Sequence, residues 1–188
     1  MKMIPVKLIV QLVVGIVFIF STAVFADQTD ERLDGFFSTL QNSDNEGEVQ
    51  TAEASIWEIW FDSGQAEIDL LMEEAGSNVQ AGNLTYAESL YSQVIEKLPE
   101  FSEGWNRRAT VRFYQNDFDG SLEDIRQTLI LEPRHFGATW GLGMILGARQ
   151  DLLGAIAAFE RLLEIKPKAH DVRARLEQLK QKLAESSV

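Results

Sequence analysis

Residues 152–168 read LLGAIAAFERLLEIKPK, and the same arrangement of apolar, small and charged residues occurs twice upstream. The two earlier copies are LTYAESLYSQVIEKLPE at residues 84–100 and FDGSLEDIRQTLILEPR at residues 118–134. A proline closes each copy, and Pro99, Pro133 and Pro167 are spaced 34 residues apart. A fixed period of this length is typical of one supersecondary unit that is copied and stacked. It favours a surface that binds other chains over a catalytic pocket.

Each copy carries the signals of a helix with a tightly packed face. Asn83, Asp117 and Asp151 precede the first apolar residue, where a short oxygen-bearing side chain can cap a helix N-terminus. The small residues Ala87, Ser121 and Ala155 are followed, four positions later, by the bulkier Tyr91, Ile125 and Phe159. Small residues facing large ones allow two helices to pack closely.

With these features the chain resembles the tetratricopeptide repeat family, whose unit is a 34-residue helix-turn-helix closed by a proline. We place three units at residues 68–101, 102–135 and 136–169. Trp105 and Ala109 match the opening of the motif in the second unit, and Leu142 and Gly143 match it in the third. The first unit departs from the motif at Glu74 and Asn78, where leucine and tyrosine are usual. The resemblance implies an all-α, right-handed α-solenoid.

The flanks of the repeats are also predicted to be helical. One unit cannot bury its apolar face alone, and residues 170–184 carry an apolar stripe of Val172, Leu176, Leu179 and Leu183. We therefore interpret residues 170–188 as a C-terminal capping helix and tail. Residues 30–41 and 48–61 predict a helix pair rich in aromatic residues, within residues 27–67. We interpret this pair as a degenerate leading repeat packed on the first unit.

Residues 1–26 have the composition of an export signal. Lys2 and Lys7 precede an apolar stretch from Leu8 to Phe20, and Val24-Phe25-Ala26 fits a signal-peptidase site. The alternative is an uncleaved inner-membrane anchor, because the apolar stretch reaches 19 residues when it is extended to Ala26. The chain contains no cysteine. Its export signal and composition resemble those of exported repeat proteins of Gram-negative bacteria, which implies a periplasmic location.

Charge is distributed unevenly along the chain. Residues 27–103 hold 18 acidic and 2 basic residues, whereas residues 104–188 hold 11 acidic and 13 basic residues. An acidic half argues against nucleic acid as a partner, because affinity for nucleic acid rests on neutralising phosphates. It can attract a basic partner, or it can simply keep the surface soluble.

The sequence offers little that indicates catalysis, a cofactor or a metal. His135 and His170 lie in successive inter-repeat connections, which places them one unit apart, so we expect no enzyme activity and no cofactor. A calcium site is one hypothesis for the loop before residue 54. Asp44, Glu46 and Glu53 stand at ligand positions of a partial EF-hand pattern. The alternative is a polar turn between two helices.

Arg107, Arg108 and Arg112 form a basic cluster in the second unit. Such a cluster can capture an acidic peptide or carboxylate. It can equally pair with acids of the neighbouring unit or of the acidic N-terminal half.

In the family that this chain resembles, the first helices of the units line a concave surface on which a partner peptide docks. The resemblance puts Met72, Val79, Asn106, Thr110, Phe113, Tyr114, Trp140 and Met144 on that surface, with Asp69 and Glu103 beside them. Methionine and aromatic side chains suit an adaptable binding surface. Phe113, Tyr114 and Trp140 can alternatively be ordinary inter-repeat core.

Some family members hold a chaperone's acidic C-terminus with a lysine-asparagine-arginine clamp. The matching positions here are Met72, Gly76, Gly137 and Gly141, so the clamp is missing and that partner is not expected.

Two functional hypotheses follow from these patterns. The first is a non-enzymatic binding module of the cell envelope that holds a protein or peptide in its concave groove. The second is a membrane-anchored or self-associating scaffold whose groove is filled by its own N-terminal helices.

Overall fold

A computed structural model of the chain describes residues 27–186, and this part is helical throughout. A 3-10 turn at Asp27–Thr29 precedes nine α-helices. They are α1 (Arg32–Asn42), α2 (Glu46–Phe61), α3 (Ala66–Gln80), α4 (Leu84–Lys97), α5 (Ser102–Tyr114), α6 (Phe118–Leu131), α7 (Phe136–Ala148), α8 (Leu152–Ile165) and α9 (His170–Glu185). No strand occurs between residues 27 and 186. The predicted all-α fold is therefore confirmed.

Residues 1–26, to which we assign the export signal or anchor, lie outside the described residues. Among residues 27–186, no helix is both long enough and apolar enough to cross a membrane.

Helices α3 to α8 form three consecutive hairpins that pack into a solenoid. Each hairpin packs its two helices together, and the second helix of each packs on the first helix of the next, up to α9. The small-to-large contacts within the hairpins are buried, as Ala155 and Phe159 illustrate at 0% and 1% exposure. At Gly143 a Cβ atom would lie only 2.7 Å from the Phe159 ring. This contact therefore requires glycine.

The turns within the hairpins repeat with the 34-residue period. Gly82, Asn116 and Gln150 occupy equivalent positions and all have positive φ, at 79°, 64° and 64°. Asp117 and Asp151 then cap the following helices by accepting hydrogen bonds from Gly120 N and Gly154 N at 3.0 and 2.9 Å. The prediction of a cap at Asn83 is wrong, because the side-chain amide of Asn83 donates to Asn78 Oδ1 instead.

The N-terminal helix pair packs on the third unit and on α9, not on the first unit as we expected. Its apolar residues Phe37 and Trp60 share one buried cluster with Phe136, Phe159 and Leu176. Three ion pairs join the same surfaces: Asp34–Arg134 at 2.6 Å, Asp44–Lys168 at 2.8 Å, and Glu53–Lys166. Near the first unit, Gln28 Nε2 donates to Glu100 O.

The physical reason for this correction lies in the chemistry of the two possible docking surfaces. Helix α7 carries no charged residue and is rich in glycine, so aromatic side chains can lie directly against it. Helix α3 carries Glu67, Asp69, Glu73 and Glu74 and no basic residue. An acidic helix pair is repelled by α3 and stabilised by the lysines that flank α8 and α9.

The packing of α2 on α7 predicts opposite effects for two Gly→Ala substitutions in helices. A Cβ atom at Gly137 would lie 2.7 Å from Trp57 Cη2, so Gly137→Ala should lower the free energy of unfolding by about 1–3 kcal/mol. Gly35→Ala has nothing within 4 Å of its Cβ and should raise stability by about 0.5–1 kcal/mol, because alanine favours helix. Urea denaturation followed by tryptophan fluorescence measures both. Equal effects of the two substitutions would contradict this placement of α2.

Candidate functional site

A groove of about 300 Å³ lies between α5 and α7. Six of the eight predicted surface residues line it: Asn106, Thr110, Phe113, Tyr114, Trp140 and Met144. Gly137 and Gly141 lie on its α7 wall, and Ile125 and Ile145 contribute to its floor. We call this concavity the α5–α7 groove. Within residues 27–186, it contains no side chain from α1 or α2.

Met72 and Val79, the two other predicted residues, do not line the α5–α7 groove. Both are partly buried in α3 and pack against the apolar cluster of the first unit, with Leu90 and Tyr91. Met72 also packs against the cluster that contains Phe101. The family register correctly places them on a first helix, but their side chains are used for packing between α3, α4 and α5.

The polar groups of the groove floor are already bonded within the protein. Asn106 is 8% exposed, and its Nδ2 donates to Glu103 Oε2 at 2.9 Å. Thr110 Oγ1 donates to the carbonyl oxygen of Asn106 at 3.0 Å. Tyr114 is 57% exposed, whereas Trp140 is partly buried and packs edge-on against Phe159 at 5.2 Å. The groove is therefore an apolar surface with an aromatic rim.

A buried polar cluster lies beside the groove and joins three elements. Glu103 and His135 are both fully buried, and Glu103 Oε2 lies 3.0 Å from His135 Nε2. His135 Nδ1 accepts from the backbone N–H of Ala138, so the ring proton resides on Nε2 and is donated to Glu103. Trp60 of α2 stacks on the same imidazole at 4.2 Å. His135 thus caps α7 and supports α2, whereas His170 is an exposed residue at the start of α9.

Two opposing effects set the pKa of Glu103. Burial raises the pKa of this carboxyl, but the hydrogen bond from His135 and the charge of Arg107 outweigh burial and hold the pKa below its ordinary value of 4.5. Arg107 Nε donates to Glu103 Oε1 at 2.5 Å. Glu103 is therefore a buried, charged and fully bonded group.

The arginines of α5 support the structural interpretation of the basic cluster. Arg108 donates two hydrogen bonds to the buried Asp124, at 2.9 and 2.7 Å. Arg112 donates to Glu88 and to Asp124, both at 2.9 Å. With Arg107 on Glu103, all three guanidinium groups are bonded to acids of the same or the adjacent unit. Arg112, through Glu88, and Arg108, through Ser92 Oγ at 3.1 Å, tie the second unit to the first.

The acids of the calcium hypothesis do not converge in the loop between α1 and α2. Asp44 pairs with Lys168 at 2.8 Å, and Glu53 pairs with Lys166. Glu46 is exposed at the start of α2. No group of three metal-ligating side chains is present among residues 27–186. The lysines thus pair with two of the three candidate carboxylates, which favours the interpretation as a polar turn.

Comparison with known proteins agrees with this architecture. A TPR repeat-containing protein of Rhizobium etli is 34% identical over 154 residues, which cover 82% of this chain and 76% of that protein. A family model described as tetratricopeptide repeat matches residues 106–170. The chain belongs to the tetratricopeptide repeat family. Bovine tetratricopeptide repeat protein 36 is 36% identical over 72 residues, which are 38% of each chain.

Solved tetratricopeptide repeat domains share the fold. The first such domain of Spaghetti (RPAP3), bound to the HSP90 peptide SRMEEVD, superposes with a TM-score of 0.60 at 23% identity, over 62% of this chain and 93% of that one. The Yersinia enterocolitica type III secretion chaperone SycD, in complex with a peptide of the translocator YopD, gives 0.59 at 14% identity, over 63% and 95%. At these identities the comparison establishes the fold.

The depressed pKa of Glu103 predicts a loss of stability in acid. The charged carboxylate stabilises the fold fully above its unfolded pKa, and that contribution disappears as the pH falls through the lower folded pKa. We expect the free energy of unfolding to decrease between about pH 5 and pH 3. The Glu103→Gln variant should be less stable at neutral pH but should lose less over that interval. Urea denaturation across the pH range measures both quantities.

Glu123→Gln is the control for this prediction. Glu123 is exposed and pairs with Arg126, which is the first reason that its pKa falls to about 2. Solvent screens this pair, so the variant should keep the acid sensitivity of the parent protein. A flatter profile for Glu123→Gln than for Glu103→Gln would refute the role of the buried carboxylate.

Proposed function

We propose that this tetratricopeptide repeat protein is a non-enzymatic binding module that holds a protein or peptide partner in the α5–α7 groove. The proposal rests on one observation: the α5–α7 groove is apolar and is lined by Phe113, Tyr114, Trp140 and Met144. Aromatic side chains that become buried on binding often dominate the energy of protein interfaces. The peptide complexes of Spaghetti and SycD, which have the same fold, support the proposal by analogy.

An enzymatic role has no support in the described side chains. His135 is committed to Glu103 and to the α7 backbone, while the hydroxyl of Thr110 is bonded to a carbonyl oxygen. A general base must reach the proton of a substrate, and the buried imidazole is covered by Trp60.

We propose the periplasm as the location of the protein, with inner-membrane anchoring as the alternative. Both rest on the sequence of residues 1–26, in which two lysines precede an apolar stretch and small residues follow it. N-terminal sequencing of the protein from cells is expected to give Asp27 as the first residue. A chain that still begins at Met1 in the membrane fraction would favour the anchor.

The scaffold hypothesis, in which the N-terminal helices fill the groove, has partial support. Trp57 of α2 lies against Gly137 and so covers one end of the α7 wall. Phe113, Tyr114 and Met144 remain uncovered by α1 and α2 within residues 27–186. We therefore favour an external partner.

A substitution that places a larger side chain in the groove tests the proposal better than alanine substitutions of the residues that line it. Phe113 and Trp140 also pack against buried clusters, so their alanine variants combine lost contact with lost stability. Gly141→Met should project a side chain into the groove, where the nearest atom to its Cβ is Ile125 Cδ1 at 3.3 Å. We expect this variant to lose the partners that the parent protein captures from cell envelopes, as identified by mass spectrometry.

Gly35→Met is the matched control, because it makes the same substitution in a helix with nothing within 4 Å. It should retain the captured partners, and both variants should keep their helical circular dichroism. Recovery of the same partners by folded Gly141→Met would refute binding in this groove.

A further inference from the structure

The partner's chemistry can be inferred from the groove, if the proposed function holds. We infer that the α5–α7 groove takes a peptide segment with an uncharged, apolar core that is flanked by basic residues. The inference rests on the charge of the groove walls, on the size and depth of the groove, and on the acidic helices on both sides of it.

The walls of the groove offer no bonding partner to a charged side chain. Helix α7, with the sequence FGATWGLGMILGA, contains no acidic or basic residue. The charged residues of α5 are bonded elsewhere, since Arg107 donates to Glu103, and Arg108 and Arg112 donate to Asp124. A charged side chain in the groove would lose its hydration without gaining a partner. The segment that enters must therefore be apolar.

The dimensions of the groove suit a short segment. Its volume of about 300 Å³ is at the lower end of the range for ligand pockets, about 300–1,000 Å³. One or two large apolar side chains fill such a space. Gly141 leaves the α7 backbone bare on this wall, so the main chain of the partner can approach closely.

The helices on either side of the groove are acidic. Helix α2 holds Glu46, Glu48, Glu53 and Glu58 and no basic residue, and it lies at the Gly137 end through Trp57. Helix α3 holds four acidic residues and no basic residue, and it packs beside α5 through Met72 and Val111. Only Glu53 and Glu67 of these acids form ion pairs with lysines, within the described part of the chain. A basic flank on the partner is attracted by both helices.

The same geometry disfavours a partner whose acidic C-terminus would bind at the Gly137 end of the groove. Gly137 and Gly141 have no side chain that could bond a carboxylate, and Trp57 lies directly against Gly137. Arg107 of α5 is bonded to Glu103 and lies over the Phe61 ring at 4.5 Å. A carboxylate at this end would meet the Trp57 indole and two cations, Arg107 and Lys166, that are already paired with Glu103 and Glu53.

Labelled synthetic peptides test the inference on the purified full-length chain by fluorescence anisotropy. The first peptide has a core of alternating leucine and phenylalanine with two lysines on each side. The second has the same core with glutamates, and the third has the lysines around a serine-glycine core. We expect the first to bind about tenfold more tightly than the second at low salt and the third not to bind. At high salt the difference should shrink, because the screening length falls.

Two variant pairs assign the binding to this site. Gly141→Met should weaken the first peptide about tenfold or more, and Gly35→Met should not. Glu73→Lys replaces an exposed acid of α3 and should weaken the same peptide, whereas Glu177→Lys makes the same change on α9 and should have little effect. Circular dichroism confirms that each variant is folded.

The remaining outcomes overturn the inference. Tighter binding of the glutamate-flanked peptide, still abolished by Gly141→Met, would reverse the inferred charge while leaving the proposed function intact. Binding of the third peptide would show attraction to acidic surface without use of the groove.

A dimer in sedimentation experiments that Gly141→Met dissociates would assign the groove to a second copy of the chain. Failure of the proposed function itself would appear separately, as unchanged partner capture by Gly141→Met.

Discussion

The rest of the structure depends on the glycines of α7, whose missing side chains let other groups lie directly against the helix backbone. Gly143 admits the Phe159 ring, which would lie 2.7 Å from a Cβ atom and which closes the third hairpin. Gly137 admits Trp57 at the same distance, which fixes the N-terminal helix pair. Gly141 faces the α5–α7 groove and leaves it open. These three glycines of one helix thus set the hairpin contact, the position of α2 and the access of a partner. A helix so poor in side chains has weak intrinsic stability, so it depends on these neighbours.

The buried pair of Glu103 and His135 connects these contacts across two units. Glu103 lies in the second unit, His135 caps the first helix of the third, and Trp60 of α2 stacks on the imidazole. A buried ion that loses one partner is strongly destabilising, whereas the complete network holds one arrangement of its elements. The polar cluster therefore fixes how the second unit, the third unit and α2 lie relative to one another, and with them the shape of the groove.

The features that recur in every repeat could be predicted from the sequence, whereas the features that occur only once could not. The 34-residue period and the caps at Asp117 and Asp151 follow from local patterns that the structure reproduces. The six residues that line the groove were placed on that surface by the family resemblance. The docking of α2 could not be predicted, because it depends on long-range contacts of Trp57 and Trp60 that leave no period. Asn83 has the right residue type for a cap but bonds to Asn78 instead. The positive φ of Gln150 is set by the turn that all three hairpins share, although the residue type does not favour it.

Charge explains why the N-terminal pair leaves the first unit uncovered. Residues 27–67 hold eleven acidic residues and one arginine, and the first unit, residues 68–101, holds six acidic residues and one lysine. Packing these two segments together would bring like charges into contact. The third unit and the start of α9 instead offer Lys166 and Lys168, which pair with Glu53 and Asp44. Because the basic groups are used within the molecule, the acidic surface of α3 stays exposed next to the groove. The ion pairs that position α2 therefore leave acidic helices on both sides of the groove. A partner must carry the opposite, basic charge beside its apolar core.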